Sequence, residues 1–220
     1  MDKITVRYAV FAAVAGLAMG LLALLFLGSP SPVENYEKMS YNNFEFIKKD
    51  GFWFTEARCG GELHNFSFRY APQELASVPV HGQLNNEMFA APLYLTTDSR
   101  PPRLDNPEEV RTEMSTPLMH EPLVYMRVSR LMRTCREVRL LDACTANDSY
   151  NFFTLCPITR HNDTKPVVSC AREGDHVIYI NRTGEADVRF NGQCLVIGGY
   201  DEKLYRAFER FQYQFLGIMK

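Results

Sequence analysis

Cys59, followed by Gly60 and Gly61 and then by His64, is the nearest approach this sequence makes to a nucleophile beside its base. A thiol attacks as the thiolate, so a neighbouring imidazole could activate it. In an oxidising compartment the same thiol is instead half of a disulfide. The six cysteines, Cys59, Cys135, Cys144, Cys156, Cys170 and Cys194, are even in number and invite that second reading. They allow up to three bridges in fifteen possible pairings, which spacing does not resolve. Zinc is disfavoured, because no C-x-x-C is present and His64, His81, His120, His161 and His176 keep no ligand spacing to the thiols or to one another. No metal site is assigned. G-x-S-x-G, H-E-x-x-H, P-loop and dinucleotide signatures are also missing, so no catalytic residue and no cofactor are assigned.

Two further sets of residues could meet a partner. Arg127, Arg130, Arg133, Arg136 and Arg139 recur every third position and would wind around one surface of a helix. They suit anionic headgroups, glycans or an acidic protein, or else form a solvated face. Asn65, Asn147, Asn162 and Asn181 each begin an Asn-x-Ser/Thr triplet without proline in the middle. Asn147 and Asn162 lie in polar stretches where a glycan could be attached, whereas Asn65 falls in a strand-like segment.

These residues need a compartment and a scaffold. Tyr8 to Leu27 is a run without a charged residue, about 30 Å long as a helix, which matches a bilayer core. Lys3 and Arg7 precede it, and Glu34, Glu37 and Lys38 follow, so the positive-inside bias puts the N-terminus in the cytoplasm and the rest outside. A cleaved signal is the competing reading, but such segments have shorter apolar stretches, and Pro30 and Pro32 stand where a protease needs extended chain. Ala12, Gly16 and Gly20 recur every fourth residue, which would admit a second membrane helix or simply reflect common membrane-helix composition. The expected partners are therefore the lipid bilayer through residues 8–27 and a possible membrane protein. Nucleic acid is not expected, since a net charge of −2 is spread over interspersed acids and bases.

The expected organisation is a cytoplasmic tip and transmembrane helix at 1–28, a stalk at 29–43 and an extracytoplasmic α+β domain at 44–220. Within it, 51–58 and 64–70 read as aromatic strands around a Gly-rich turn, and 92–97 as a third strand. Asn106 with Pro107, Glu108 and Glu109 reads as a helix start. A second helix spans about 123–138, with Val124, Val128, Leu131, Cys135 and Val138 on one apolar face. Near the end, 177–181 and 186–197 read as two extended segments. They are followed by an Asp201-capped amphipathic helix with Leu204, Phe208, Phe211 and Phe215 turned onto a sheet. The fold expected is α+β, with helices packed on a mainly antiparallel sheet.

Pro166-Val-Val-Ser-Cys170, then Val177-Ile-Tyr-Ile, then Gly192-Gln-Cys194-Leu-Val-Ile-Gly198, then a helix ending Phe215-Leu-Gly-Ile-Met219, resembles a group of uncharacterised, membrane-anchored archaeal proteins. The resemblance covers about the last quarter of the chain and the apolar N-terminal run. It implies a single-pass archaeal protein and no particular activity, and it marks Cys170 and Cys194 as two disulfide-forming positions without pairing them. The function expected is a membrane-anchored extracytoplasmic interaction or structural protein, such as a subunit of a cell-envelope assembly. The alternative is a membrane-tethered hydrolase or thiol-disulfide enzyme.

Overall fold

Asn42-Asn43, Asp50-Gly51 and Gly60-Gly61 each place two successive residues at positive φ. Two such residues make the hairpin turn whose twist suits its flanking strands, and Asn, Asp and Gly tolerate it best. Three of them in succession fold β1 (Glu37–Tyr41), β2 (Phe44–Lys49), β3 (Phe52–Cys59) and β4 (Glu62–Phe68) into an antiparallel meander. The computed structural model describes residues 36–90, 92–97, 120–138, 140–143, 166–172, 174–182 and 184–220. Of these, Glu37–Lys220 belongs to one unit.

The meander follows the period of two expected of a sheet with one covered face. Phe46, Trp53, Ala57 and Phe68 point inward and are buried, while Ile47 and Phe52 remain 39% and 38% exposed on the outer face. Glu37–Tyr41, assigned to the stalk by sequence, is therefore a full member of this sheet.

A second sheet has the order β5-β9-β10-β8-β6-β7, comprising β5 (Val80–His81), β6 (Leu93–Thr97), β7 (Leu140–Asp142), β8 (His176–Asn181), β9 (Asp187–Asn191) and β10 (Cys194–Gly198). Here β10 runs parallel to β8, β6 runs parallel to both β8 and β7, and β5 runs parallel to β9. The β9–β10 hairpin, turned at Gly192-Gln193, supplies the antiparallel pair. The segment 186–197, read as one extended piece, is thus two strands. β10 inserts between β8 and β9, so the segment following β8 does not fold straight back onto it.

These findings correct the expected fold class. Strands and helices do mix, but a mainly antiparallel single sheet is replaced by two sheets, one of them mostly parallel. The reason lies in covered faces: Val177-Ile-Tyr-Ile and Cys194-Leu-Val-Ile are near-continuous apolar runs, the mark of strands buried on both sides. One side carries Ile178, Ile180, Leu195 and Ile197 into the main core, and the other packs Val177 and Cys194 on Val168 and Ala143. The expected N-terminal transmembrane helix finds no counterpart: among the described residues no helix is long and apolar enough to cross a membrane. Residues 8–27, and with them the proposed bilayer contact, lie outside the described residues, as does the helix expected to begin near Asn106.

Two α-helices occur among the described residues, α1 (His120–Arg136) and α2 (Glu202–Phe215). α1 starts three residues earlier than expected. Pro122 sits in its first turn, where a missing N–H costs no helical hydrogen bond. Val124, Val128, Leu131, Met132 and Cys135 form its buried face. α2 departs further from expectation. It is buried on most of its circumference, including Glu209, Arg210 and Gln212, because it is wedged among both sheets and α1. Tyr213 stacks on Phe68 at 4.0 Å and meets Phe46 edge-on in the meander, while Phe211 lies 6.4 Å from Phe190 of the second sheet. Asp201 precedes α2 at φ 51° and makes no side-chain capping hydrogen bond.

Candidate functional site

The edge strand β4 and the helix α1 are brought side by side by a covalent tie. Gly60 allows the approach: a Cβ there would stand 3.1 Å from the Thr134 carbonyl oxygen, and its φ of +60° suits glycine. Cys59, just before the turn, then reaches Cys135 on α1 and forms a disulfide with it. Cys59 is therefore in a disulfide, the reading the even cysteine count invited, and its sulfur is not a thiolate for His64 to activate. His64 instead lies 6.3 Å from Phe66, edge to face. A second disulfide joins Cys170 to Cys194, so the two positions marked by resemblance are bonded to each other. Cys144 and Cys156 lie outside the described residues.

Between β4 and α1, a buried acid organises the polar groups. Glu209 of α2 is fully buried, and its two carboxylate oxygens accept the backbone N–H groups of Arg69 at 2.8 Å and Tyr70 at 3.0 Å. Arg127 of α1 approaches from the other side, with Nη1 3.3 Å from Glu209 Oε1 and also donating to the Tyr205 hydroxyl. Its Nη2 donates to the Ser67 carbonyl at 3.2 Å, and its guanidinium lies 5.3 Å from the Tyr205 ring. Burial pushes the Glu209 carboxyl up to about 7, even though the Arg69 amide and the Arg127 charge pull the other way. Burial, with the negative charge of Glu209, likewise raises Tyr205 to about 12.

The predicted arginine stripe is split by this arrangement. Arg127 is drawn inward by Glu209. Arg136 donates to Asn86 Oδ1 at 2.6 Å and covers the rings of Phe89 and Phe215. Arg130 and Arg133 stay exposed on α1, and Arg139 lies outside the described side chains. The difference is legible in geometry alone: positions three apart drift around a helix, so residues at either end of the row meet different neighbours.

A cleft of about 230 Å³ opens above the Glu209 cluster, lined by His64, Ser67, Arg127, Arg130, Thr134 and Gln212, with Asn65 and Phe66 at its strand side. Gln212 is 7% exposed, and its Oε1 accepts no hydrogen bond in the structure. Neither Glu209 nor Gln212 was singled out from sequence. A signal was present, since both interrupt an otherwise apolar helical pattern. A larger groove of about 1020 Å³ runs on the other side of Arg130, past Tyr125, Arg133, Leu140 and Asp142. Tyr125 donates to Asp142, and burial and that acid raise its hydroxyl well above the ordinary value.

Of the glycosylation candidates, Asn65 is exposed on β4 beside the cleft and Asn181 ends β8 half-buried. Asn147 and Asn162 lie outside the described residues. No group of His, Cys, Asp and Glu placed to hold a metal ion occurs among the described residues. No family model matches the chain, and no curated protein or solved structure matches it either.

Proposed function

We propose that the protein is an extracytoplasmic interaction or structural module, associated with a membrane and serving as a subunit of a cell-envelope assembly. The observation that carries this reading is the engagement of every described cysteine in a disulfide: Cys59 with Cys135, and Cys170 with Cys194. Such bridges persist in oxidising compartments and are rare in reducing ones. They tie β3 to α1 and β10 to the segment before β8, so they brace a binding surface. Ile47 and Phe52, exposed beside Phe54 on the outer face of the meander, offer apolar area for a contact.

Protease added to intact cells tests the location, and peptide mapping of the unreduced protein tests the bridges. Cleavage beyond residue 36 and recovery of the Cys59–Cys135 and Cys170–Cys194 peptides are expected. A protected chain, or a Cys59 that reacts with maleimide in the native protein, would overturn the reading. Crosslinking in mild detergent should then recover a stoichiometric partner, and Phe52→Ser should weaken that recovery.

A further inference from the structure

We infer that the cleft between β4 and α1 binds a small acidic sugar, through its carboxylate and its hydroxyl groups together. Positive charge comes first. Arg130 is exposed at the rim, and among the described residues no hydrogen bond or ion pair engages it, so its guanidinium faces the cleft unpaired by them. Arg127 lies beside it, fixed in place by Glu209, Tyr205 and Ser67. A planar guanidinium with free donors recognises a carboxylate well, and one held rigidly loses little freedom on binding.

Charge alone does not describe the site. Gln212 lies more than nine-tenths buried at the base of the cleft, with an oxygen that receives no donor. A buried acceptor without a partner is costly. A bare carboxylate cannot fill that need, because it brings only acceptors. A ligand that carries hydroxyls beside its acid group can donate to Gln212 while its carboxylate faces Arg130. His64, Ser67 and Thr134 add polar groups at the walls, and the half-buried ring of Phe66 supplies an apolar surface. The volume of about 230 Å³ lies below the usual range for a drug-sized ligand and fits one monosaccharide unit. This inference deepens the extracytoplasmic reading and rests on it only for the expectation that the acid group is met on a glycan.

Titration of the full chain, oxidised and held in nonionic detergent, with glucuronate, glucose, acetate and inorganic phosphate tests it. Glucuronate should bind saturably. Glucose lacks the charge, and acetate and phosphate lack the hydroxyl array, so each should bind at least about tenfold more weakly, the ratio expected from one lost charge-assisted hydrogen bond. Arg130→Gln, at an exposed position, should reduce glucuronate affinity by about the same factor. Gln212→Met keeps the volume and should narrow the preference for glucuronate over acetate. Absence of glucuronate binding overturns the inference, as does equal binding of phosphate or acetate, or an Arg130→Gln protein that binds unchanged. The protease and peptide-mapping experiments can fail while sugar binding holds, and the reverse, so the two readings are separable.

Discussion

The two sheets face one shared core but are assembled by different means. The meander is assembled from neighbours in sequence: each of its strands is joined to the next by a two-residue turn, and its polar and apolar residues alternate. The six-stranded sheet is assembled from distant segments, with β6 and β8 paired across some eighty residues of chain. Local hairpins close at little entropic cost, whereas parallel pairing must first draw remote segments together. The second sheet consequently depends on what lies between the two, and the element between them is α2.

Breaking the junction should have the largest effect. Glu209→Ala removes the acceptor for the Arg69 and Tyr70 amides and leaves Arg127 facing an apolar gap. A loss of about 3–5 kcal/mol is expected in urea denaturation, the usual cost of stripping one partner from a buried pair.

The disulfides sharpen the contrast, because each belongs to a different sheet. Cys59–Cys135 spans 76 residues and Cys170–Cys194 spans 24. Chain-entropy arguments give each about 2–4 kcal/mol, with the longer loop ahead by about 1 kcal/mol. Paired Cys→Ala variants, compared by thermal melting, should show that order. Equal losses would mean that the unfolded chain already holds one loop compact.

Glu209 also gives the junction a pH dependence. Its folded value of about 7 lies above the ordinary 4.5, so between these values the folded state holds more protons than the unfolded one. Stability should fall as pH rises from about 4.5 to 7 and level off above, by roughly 3 kcal/mol at most. Below 4.5 the group is neutral in both states and contributes no slope. Glu209→Gln should flatten the curve. A slope that survives this substitution would place the proton elsewhere.

The smallest effects concern single glycines, and they should differ between the sheets. Gly51 in the meander has φ +81° with open space around it, so Gly51→Ala should cost only the backbone strain, about 1 kcal/mol. Gly82, at φ +80° beyond β5, would place a Cβ 2.2 Å from the Phe190 oxygen. Gly82→Ala should therefore cost more, about 2–3 kcal/mol, as overpacking adds to strain. Chemical denaturation of both variants checks the ranking.

The same contrast explains what could be read in advance. The β3–β4 hairpin was legible because Gly60-Gly61 and alternating aromatics are local signals, and the buried face of α1 was legible because Val124, Val128, Leu131 and Cys135 repeat with the helix. Asn42-Asn43 carries a turn signal of the same kind, but the prolines before it suggested a stalk. Parallel pairing was not legible, since periodicity reports which side of a strand is covered and not which strand lies beside it. Cysteine spacing likewise left every pairing open. The cleft was half legible: Arg127 and Arg130 stood out as charge, while Glu209 and Gln212 acquire meaning only once α2 is seen to be enclosed.

The enclosure of α2 sets an order of events during synthesis. All ten described strands precede it in the chain, yet Phe208, Phe211 and Tyr213 supply the packing on which both sheets settle. As the polypeptide emerges, the hairpins can close early, but the inner faces of both sheets stay uncovered until this late segment arrives. For that interval the nascent chain presents two greasy surfaces to its surroundings, and anything that delays the final stretch prolongs its exposure to aggregation.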